Sequence, residues 1–143
     1  MALTSWLTLR CWRNQQREVP ARCPHRTLVA RAPKKLGKIG YTMIADPANE
    51  VLISAIVPWE IAIKMNSGKM LPHVLVTDFL RVLREEEFTL LQIHPFHAIR
   101  SGLLPFHHRD PFDRLLAAQS LELGVPPISI DAIFDRYGIE RIW

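Results

Sequence analysis

The sequence lacks the features that define several classes of protein. Its apolar runs are all much shorter than the roughly 18 residues that a membrane span needs. It also begins without the unbroken apolar segment of a signal peptide. Its two cysteines, Cys11 and Cys23, have no second pair nearby, so they form neither a zinc signature nor a disulfide framework. We therefore expect reduced thiols and a cytoplasmic protein that does not partner with a membrane.

Acidic residues are nearly absent from the first part of the chain. Residues 1–43 contain nine lysines and arginines and one acidic residue, Glu18, whereas residues 44–143 contain nine basic and thirteen acidic residues. The first segment also lacks a helical or strand period, and three prolines interrupt it. We predict a poorly ordered basic segment over residues 1–43, followed by a folded domain over residues 44–143.

From residue 44 onward the sequence alternates between strand and helix patterns. The apolar, β-branched run 51–57 predicts a strand buried on both faces. Further strands are expected at 88–93, 126–130 and 138–143. The helices expected between the strands begin at Pro58, at Thr77, at Pro95 and after Asp110, and the last of them ends at Gly124. This alternation predicts an α/β fold in which helices cover a parallel sheet.

The stretch HHRDPFDRLLAAQS, residues 107–120, contains two aspartates just before an apolar helical run. Asp110 followed by Pro111 is typical of an N-cap with proline at the first helical position. Asp113 then lies at the third helical position, where a carboxylate reaches back to the cap or interacts favourably with the helix dipole. Helix formation alone is therefore one explanation of both aspartates.

The expected sheet offers a second explanation. The functional crevice of an open parallel sheet lies beyond the carboxyl ends of its strands, where the following helices begin. Glu60 follows the first strand of this region and Asp131 follows strand 126–130, so four carboxylates, with Asp110 and Asp113, lie at one edge of the sheet. Clustered carboxylates repel one another and favour a hard cation such as Mg²⁺ or Mn²⁺. Such an ion can activate water and stabilise in-line displacement at a phosphodiester.

Three motifs, in this order, resemble those of PIN-domain toxins of the VapC type. They are SAIVPWEIAIKMNSGKM, HHRDPFDRLLAAQSLELGVPPISID and the closing YGIERIW, and the resemblance covers about residues 44–143. It implies a three-layer α/β/α PIN-like fold with a mainly parallel sheet. It also implies a Mg²⁺- or Mn²⁺-dependent endoribonuclease that forms a homodimer and is neutralised by a cognate antitoxin.

The resemblance also implies which residues form the site. Glu60, Asp113 and Asp131 match the acids that bind the metal and carry catalysis in the family. Asp110 matches an additional aspartate of this branch, which we include among the metal-binding residues.

Basic residues flank the expected acidic site. We predict that Arg109 and Arg114 contact the RNA backbone or the carboxylates of the antitoxin, with a plain surface ion pair as the alternative. His107 and His108 have the residue type of a phosphate or metal contact, but we interpret this loop pair as solvated.

One motif of the family is missing. A first strand that ends in an LLDTH-like motif normally carries a central metal-binding aspartate, and residues 1–43 contain no aspartate. We therefore expect the first strand to be absent or replaced and the PIN-like domain to be incomplete.

Two hypotheses about function follow. One is an endoribonuclease toxin that cleaves RNA phosphodiesters with carboxylate-held Mg²⁺, and the other is a catalytically impaired remnant that retains only antitoxin binding or dimerisation.

Overall fold

The computed structural model describes residues 26–29, 37–68 and 74–143. Its four strands form one sheet and are β1 (Arg26–Val29), β2 (Glu50–Ser54), β3 (Thr89–Leu91) and β4 (Pro127–Ile128). The spatial order is β3-β2-β1-β4, and every neighbouring pair is parallel. A parallel bridge between Ile128 and Ile142 adds the last residues of the chain to the β4 edge.

Helices connect these strands and cover the sheet. They are α1 (Lys38–Ala45), α2 (Ile56–Asn66), α3 (Val74–Glu85), α4 (Pro95–Leu103), α5 (Pro111–Leu123) and the single turn α6 (Ile133–Arg136). Within the described ranges, no helix combines the length and the apolar content that crossing a bilayer requires.

The side chains of β2 alternate between two apolar clusters. Val51 and Ile53 lie in a cluster with residues of α1, α2 and α3, whereas Leu52 lies in a second cluster with residues of α5 and α6. Because successive side chains of a strand point to opposite faces, the two clusters lie on opposite faces of the sheet. The predicted three-layer α/β/α arrangement is confirmed.

β1 occupies the centre of the sheet, where we expected a strand to be absent or replaced. It pairs with β2 from Arg26 opposite Glu50 to Val29 opposite Ile53, and with β4 on its other side. A strand is therefore present, and its four residues, RTLV, include no acid. Backbone pairing on two sides requires no particular side chains, which explains how a segment without a strand pattern fills this position.

The helix α1 crosses the boundary that we predicted near residues 41–43. Its first residue is Lys38 and its last is Ala45, so the described secondary structure has no break at the predicted start of the domain. The prediction that residues 1–43 are poorly ordered concerns mainly residues 1–25 and 30–36, which lie outside the described residues.

Several element ends differ from those predicted. β2 ends at Ser54 rather than at residue 57, because Ile56 and Val57 form the first turn of α2. Both residues are buried there, and an apolar run in a buried helix turn has the same composition as one in a buried strand. Helix α3 begins at Val74, so Thr77 lies inside the helix and not at its cap.

The remaining strands are shorter than predicted, whereas the start of α4 and both ends of α5 agree with the prediction. β3 and β4 have three and two residues, and the segment 138–143 forms a bridge at Ile142 in place of a strand. Helix α4 begins at Pro95, as expected. Helix α5 ends at Gly124, whose φ of 62° is the left-handed conformation that glycine adopts easily.

Candidate metal centre

The first turn of α5 has the structure that its sequence predicted. Asp110 is the N-cap, and its Oδ1 accepts a hydrogen bond from the Phe112 backbone N–H at 2.9 Å. Pro111 takes the first helical position. Asp113 takes the third, and only 3% of its surface is exposed. Helix capping is a sufficient reason for an aspartate at position 110. An interaction with the helix dipole is a reason for an acid at position 113, but it does not explain why the Asp113 side chain is buried.

Asp113 lies beside His108 and Asp131. One ligand atom from each of these three residues lies within 4.8 Å of the other two. Asp131 follows β4, and its Oδ1 accepts a hydrogen bond from the Ile133 N–H at 3.0 Å while its own N–H donates to Ser129 Oγ at 3.1 Å. These two bonds hold the segment after β4 in a tight turn and fix the position of the Asp131 carboxylate.

His108 contacts both aspartates of α5. Its Nδ1 lies 3.4 Å from Asp113 Oδ2 and accepts a hydrogen bond from the Asp110 backbone N–H at 3.1 Å. We interpreted this residue as a solvated loop histidine, and that interpretation is wrong, because the contact with Asp110 turns the ring toward the buried carboxylate. The available sequence signal was its position two residues before a helix cap.

Glu60 is not a member of this group of three, and neither is Asp110. The Oε1 of Glu60 lies 2.7 Å from the Nζ of Lys64, one helical turn later in α2. The neighbouring Trp59 meets the ring of Phe112 edge on, with centroids 4.9 Å apart. The first turns of α2 and α5 are therefore adjacent, which brings the Glu60 and Asp113 segments to the same edge of the sheet.

Arg114 has a different environment from the one we predicted. It is 7% exposed, and its guanidinium donates at 2.7–3.3 Å to four backbone carbonyls, those of Ser101, Gly102, Leu104 and Pro105. The guanidinium also lies 5.0 Å from the ring centroid of Phe106. The prediction that Arg114 contacts RNA or an antitoxin is corrected, because these internal acceptors occupy its donors. Arg109 is exposed, and its predicted contact with RNA stays a prediction.

A buried amide joins α5 to the carboxyl ends of two strands. The Ser54 hydroxyl at the end of β2 donates to Gln119 Oε1 at 2.7 Å and accepts from the Ile56 N–H at 3.2 Å. Gln119 Nε2 donates to the carbonyl of Gln92, just after β3, at 3.3 Å. Both Ser54 and Gln119 are fully buried. We did not predict this connection, which sets the position of α5, and therefore of Asp113, relative to the sheet edge.

A histidine at the start of α4, His97, is buried. The Nδ1 of His97 accepts a hydrogen bond from the His94 backbone N–H at 3.1 Å. Burial lowers the pKa of His97, and the nearby His94 lowers this pKa further. Glu122 and a backbone hydrogen bond to Gln92 act in the opposite direction and are the weaker causes. The folded protein therefore favours the neutral imidazole.

The cluster of His108, Asp113 and Asp131 has the composition of a cation site. Two carboxylates at this separation repel each other, and the burial of Asp113 disfavours its charged form unless a positive group compensates it. Carboxylate oxygens with an imidazole nitrogen fit a divalent cation such as Mg²⁺ or Mn²⁺. The chain is thus a three-layer α/β/α domain that groups His108, Asp113 and Asp131, a candidate cation site, at the edge where parallel strands end.

The comparison with protein families agrees with this class. The family model of the PIN domain matches residues 29–140, and the chain belongs to the PIN domain family. PIN domains are nuclease-like, generally depend on divalent metal ions and act on RNA or DNA. The match begins before the domain start that we predicted at residue 44. Comparisons with curated proteins and with solved structures found no match to this chain.

Proposed function

We propose that this chain is a divalent-metal-dependent endoribonuclease of the VapC toxin type. The observation that carries the proposal is the proximity of Asp113 and Asp131, with His108, at the carboxyl edge of a PIN-domain sheet. Asp113 and Asp131 are two of the three acids that the motif resemblance assigns to the site. Their separation along the chain means that only the fold brings them together.

Each acid has a role in the proposed site. Asp113 and Asp131 would hold a Mg²⁺ or Mn²⁺ ion, and Glu60, in the second turn of α2, would complete the set. Asp110 acts chiefly through the cap of α5, which fixes the orientation of Asp113. A divalent cation, when bound, lowers the pKa of a water molecule and stabilises the negative charge that develops at a phosphodiester during in-line displacement. The protein's part is to hold these carboxylates in one geometry.

The proposed substrate and partners rest on the motifs. The WEIAIK and RDPFDRLL stretches resemble those of VapC toxins, which supports RNA as the substrate, a cognate antitoxin as the inhibitor, a homodimer as the assembly and the cytoplasm as the location. The exposed Arg109 is suited to contact the RNA backbone or the antitoxin. Exposed apolar side chains along α4, those of Phe96, Ile99 and Leu103, provide a surface that a second protein chain can cover.

The second candidate is a catalytically impaired PIN domain that retains antitoxin binding or dimerisation. One observation favours it. β1 lies at the centre of the sheet, yet neither its four residues nor the following segment up to Ala45 contains an acid. The ligand that the family normally supplies from this strand is therefore missing, which weakens the hold on the ion.

A cleavage assay with matched variants separates the two candidates. The purified chain, free of antitoxin, is incubated with single-stranded RNA in Mn²⁺, in Mg²⁺ and in EDTA. We expect slow, EDTA-sensitive cleavage that Asp113→Asn and Glu60→Gln abolish. Asp135→Asn is the control, because Asp135 is half exposed and pairs with Arg141.

Saturable Mn²⁺ binding without cleavage would favour the impaired domain. If Asp113→Asn leaves Mn²⁺ affinity unchanged, the metal site itself is refuted.

A further inference from the structure

Phe106 lies in the connection between α4 and α5, and 75% of its surface is exposed. Neither of the two apolar clusters that flank the sheet includes it. A single exposed apolar side chain is ordinary on a protein surface. The features that distinguish Phe106 are the anchoring of the backbone around it and the cation that lies against its ring.

The backbone on both sides of Phe106 is anchored. The carbonyl of Pro105 accepts hydrogen bonds from the Arg114 guanidinium at 3.0 Å and from the His107 N–H at 2.8 Å. The ring of His107 packs against Tyr137 at the end of α6, with centroids 5.2 Å apart. Because both neighbours of Phe106 are attached to the body of the domain, the fold itself fixes the outward position of this ring.

A buried cation lies against one face of the Phe106 ring. The guanidinium carbon of Arg114 is 5.0 Å from the ring centroid, and its N–H groups donate to four backbone carbonyls that fix its position. Arg114 is 7% exposed, so the guanidinium covers the inner face of the ring and leaves the outer face to solvent. A cation on one face attracts the π electrons, which reduces the repulsion between the outer face and the π electrons of a second aromatic ring.

The Phe106 ring is also close to the candidate metal centre. Phe106 precedes His108 by two residues, so their Cα atoms are at most about 7 Å apart. Arg114 directly follows Asp113 in α5, and the exposed Arg109 adds a positive charge to the same loop. Proteins bind single-stranded nucleic acid with this combination, in which bases stack on aromatic rings and basic side chains contact the phosphates.

We propose that Phe106 forms a base-stacking subsite, in which the outer face of its ring binds a nucleobase of the substrate strand beside the phosphodiester that is cleaved. The inference rests on the proposed function, because it adds a nucleobase contact to the same site. A nucleobase suits this ring better than an apolar side chain of a partner protein, since only a π system benefits from the cation behind the ring. Helix α4 ends at Leu103, so Phe106 does not continue the exposed apolar face of that helix.

Short single-stranded RNAs that carry 2-aminopurine at one position each test the stacking directly. The fluorescence of this adenine analogue falls when it stacks on an aromatic ring. The full chain is titrated into each RNA in EDTA, so that binding is measured without cleavage. We expect the probe at one position to be darker in the complexes with the native chain and with Phe106→Tyr than in the complex with Phe106→Leu. Leucine still covers Arg114 but has no π face.

Affinity for the same RNAs gives a second readout. Phe106→Leu should weaken RNA binding by about tenfold or more, whereas Phe106→Tyr should change it by less than about threefold. Leu80→Ala is the control for the loss of an exposed apolar side chain, because Leu80 is 54% exposed on α3 and has no part in the proposed site. Circular dichroism verifies that each variant is folded.

The outcomes distinguish this inference from the proposed function. If Phe106→Leu binds RNA as tightly as the native chain and no probe position responds, the subsite is refuted, while metal-dependent cleavage by the native chain still supports the nuclease. If Phe106→Leu changes the oligomeric state and leaves the RNA affinity unchanged, the ring belongs to a protein interface and the subsite is again refuted. If the quenching depends on Phe106 but Mn²⁺ supports no cleavage, the subsite stands and the nuclease activity does not.

Discussion

The ring of Trp59 meets the ring of Phe112 edge on, with 4.9 Å between the ring centroids. Trp59 precedes Glu60 in α2, and Phe112 precedes Asp113 in α5. The aromatic contact therefore connects the helix turns that carry two of the proposed metal-binding acids. Such a pair contributes about 0.5–1.5 kcal/mol beyond the area it buries, which is enough to hold one helix start against another.

We predict that Trp59→Ala impairs the site more than the fold. Trp59 is 48% exposed, so its truncation should lower the free energy of unfolding by only about 1–2 kcal/mol. A displacement of the Glu60 turn of about 1 Å can reduce catalysis about a hundredfold. RNA cleavage and urea unfolding measure the two effects, and Trp59→Phe, which keeps an aromatic edge, is the control. Equal cleavage by Trp59→Ala and the native chain would show that this contact does not position Glu60.

Arg114 should prove to be a structural residue. Its guanidinium donates to four carbonyls in the connection between α4 and α5, so Arg114→Ala leaves these partly buried acceptors without their donor. We expect the free energy of unfolding to fall by about 2–4 kcal/mol. Urea denaturation measures the change, and the exposed Arg109→Ala should alter it by less than about 0.5 kcal/mol. Unchanged stability in Arg114→Ala, combined with lost RNA binding, would restore the interpretation of Arg114 as a surface contact.

The buried hydrogen bond between Ser54 and Gln119 should also be required for stability. Gln119→Ala removes the acceptor of the Ser54 hydroxyl and leaves a cavity beside the carboxyl ends of β2 and β3. The expected loss is about 1–3 kcal/mol in thermal or urea unfolding. Gln92→Ala is the control, because Gln92 contributes its backbone carbonyl to this connection and its side chain is exposed. A similar loss in both variants would mean that the buried amide is not the source of the stabilisation.

The features that were predictable from the sequence are local. The Asp110 cap and the glycine stop at Gly124 depend on neighbouring residues alone, so the pattern identifies them. β1 was not predictable, because its four residues have no strand period and its stability comes from backbone partners on β2 and β4. The start of α2 was misplaced for a different reason, since a buried first helical turn and a buried strand end have the same apolar residues.

The candidate site likewise contains features that were predictable from the sequence and features that were not. Asp113 and Asp131 were expected at one sheet edge from topology, and the structure brings them together. His108 was not expected there, because its orientation depends on a bond to the Asp110 N–H, and its position two residues before the helix cap was the one sequence signal for that bond. The burial of Arg114 likewise depends on how the connection between α4 and α5 turns its carbonyls inward.

The stability of the protein should fall when the pH falls below about 6.5, partly through His97. Burial lowers the pKa of His97 in the folded state below that of the unfolded chain. The unfolded state therefore binds a proton more readily, so the stabilisation is present above the unfolded pKa of about 6.5 and is lost as the pH falls through the folded pKa. Thermal unfolding of the native chain and His97→Gln between pH 7.5 and about 5 measures this contribution. A pH dependence that is identical in the two proteins would exclude His97 as a contributor.

The last prediction concerns the carboxylate that the family carries after its first strand. β1 lies between β2 and β4 in a parallel sheet, so its carboxyl end lies at the edge where Ser54 ends β2 and Asp131 follows β4. Ala30 is the residue that follows β1 in the sequence. Ala30→Asp adds a carboxylate at this position of the chain, and we expect it to tighten Mg²⁺ binding by about tenfold and to accelerate RNA cleavage by at least as much.

Ala30→Asn is the matched control for this substitution, because it has nearly the same size as aspartate and no charge. Calorimetric titration with Mg²⁺ and the RNA cleavage assay are run on both variants and on the native chain. A gain in Ala30→Asp alone shows that the missing charge limits the native site. A gain in both variants points to an effect of side-chain size or hydrogen bonding. No gain in a folded Ala30→Asp shows that a carboxylate at this position does not reach the ion.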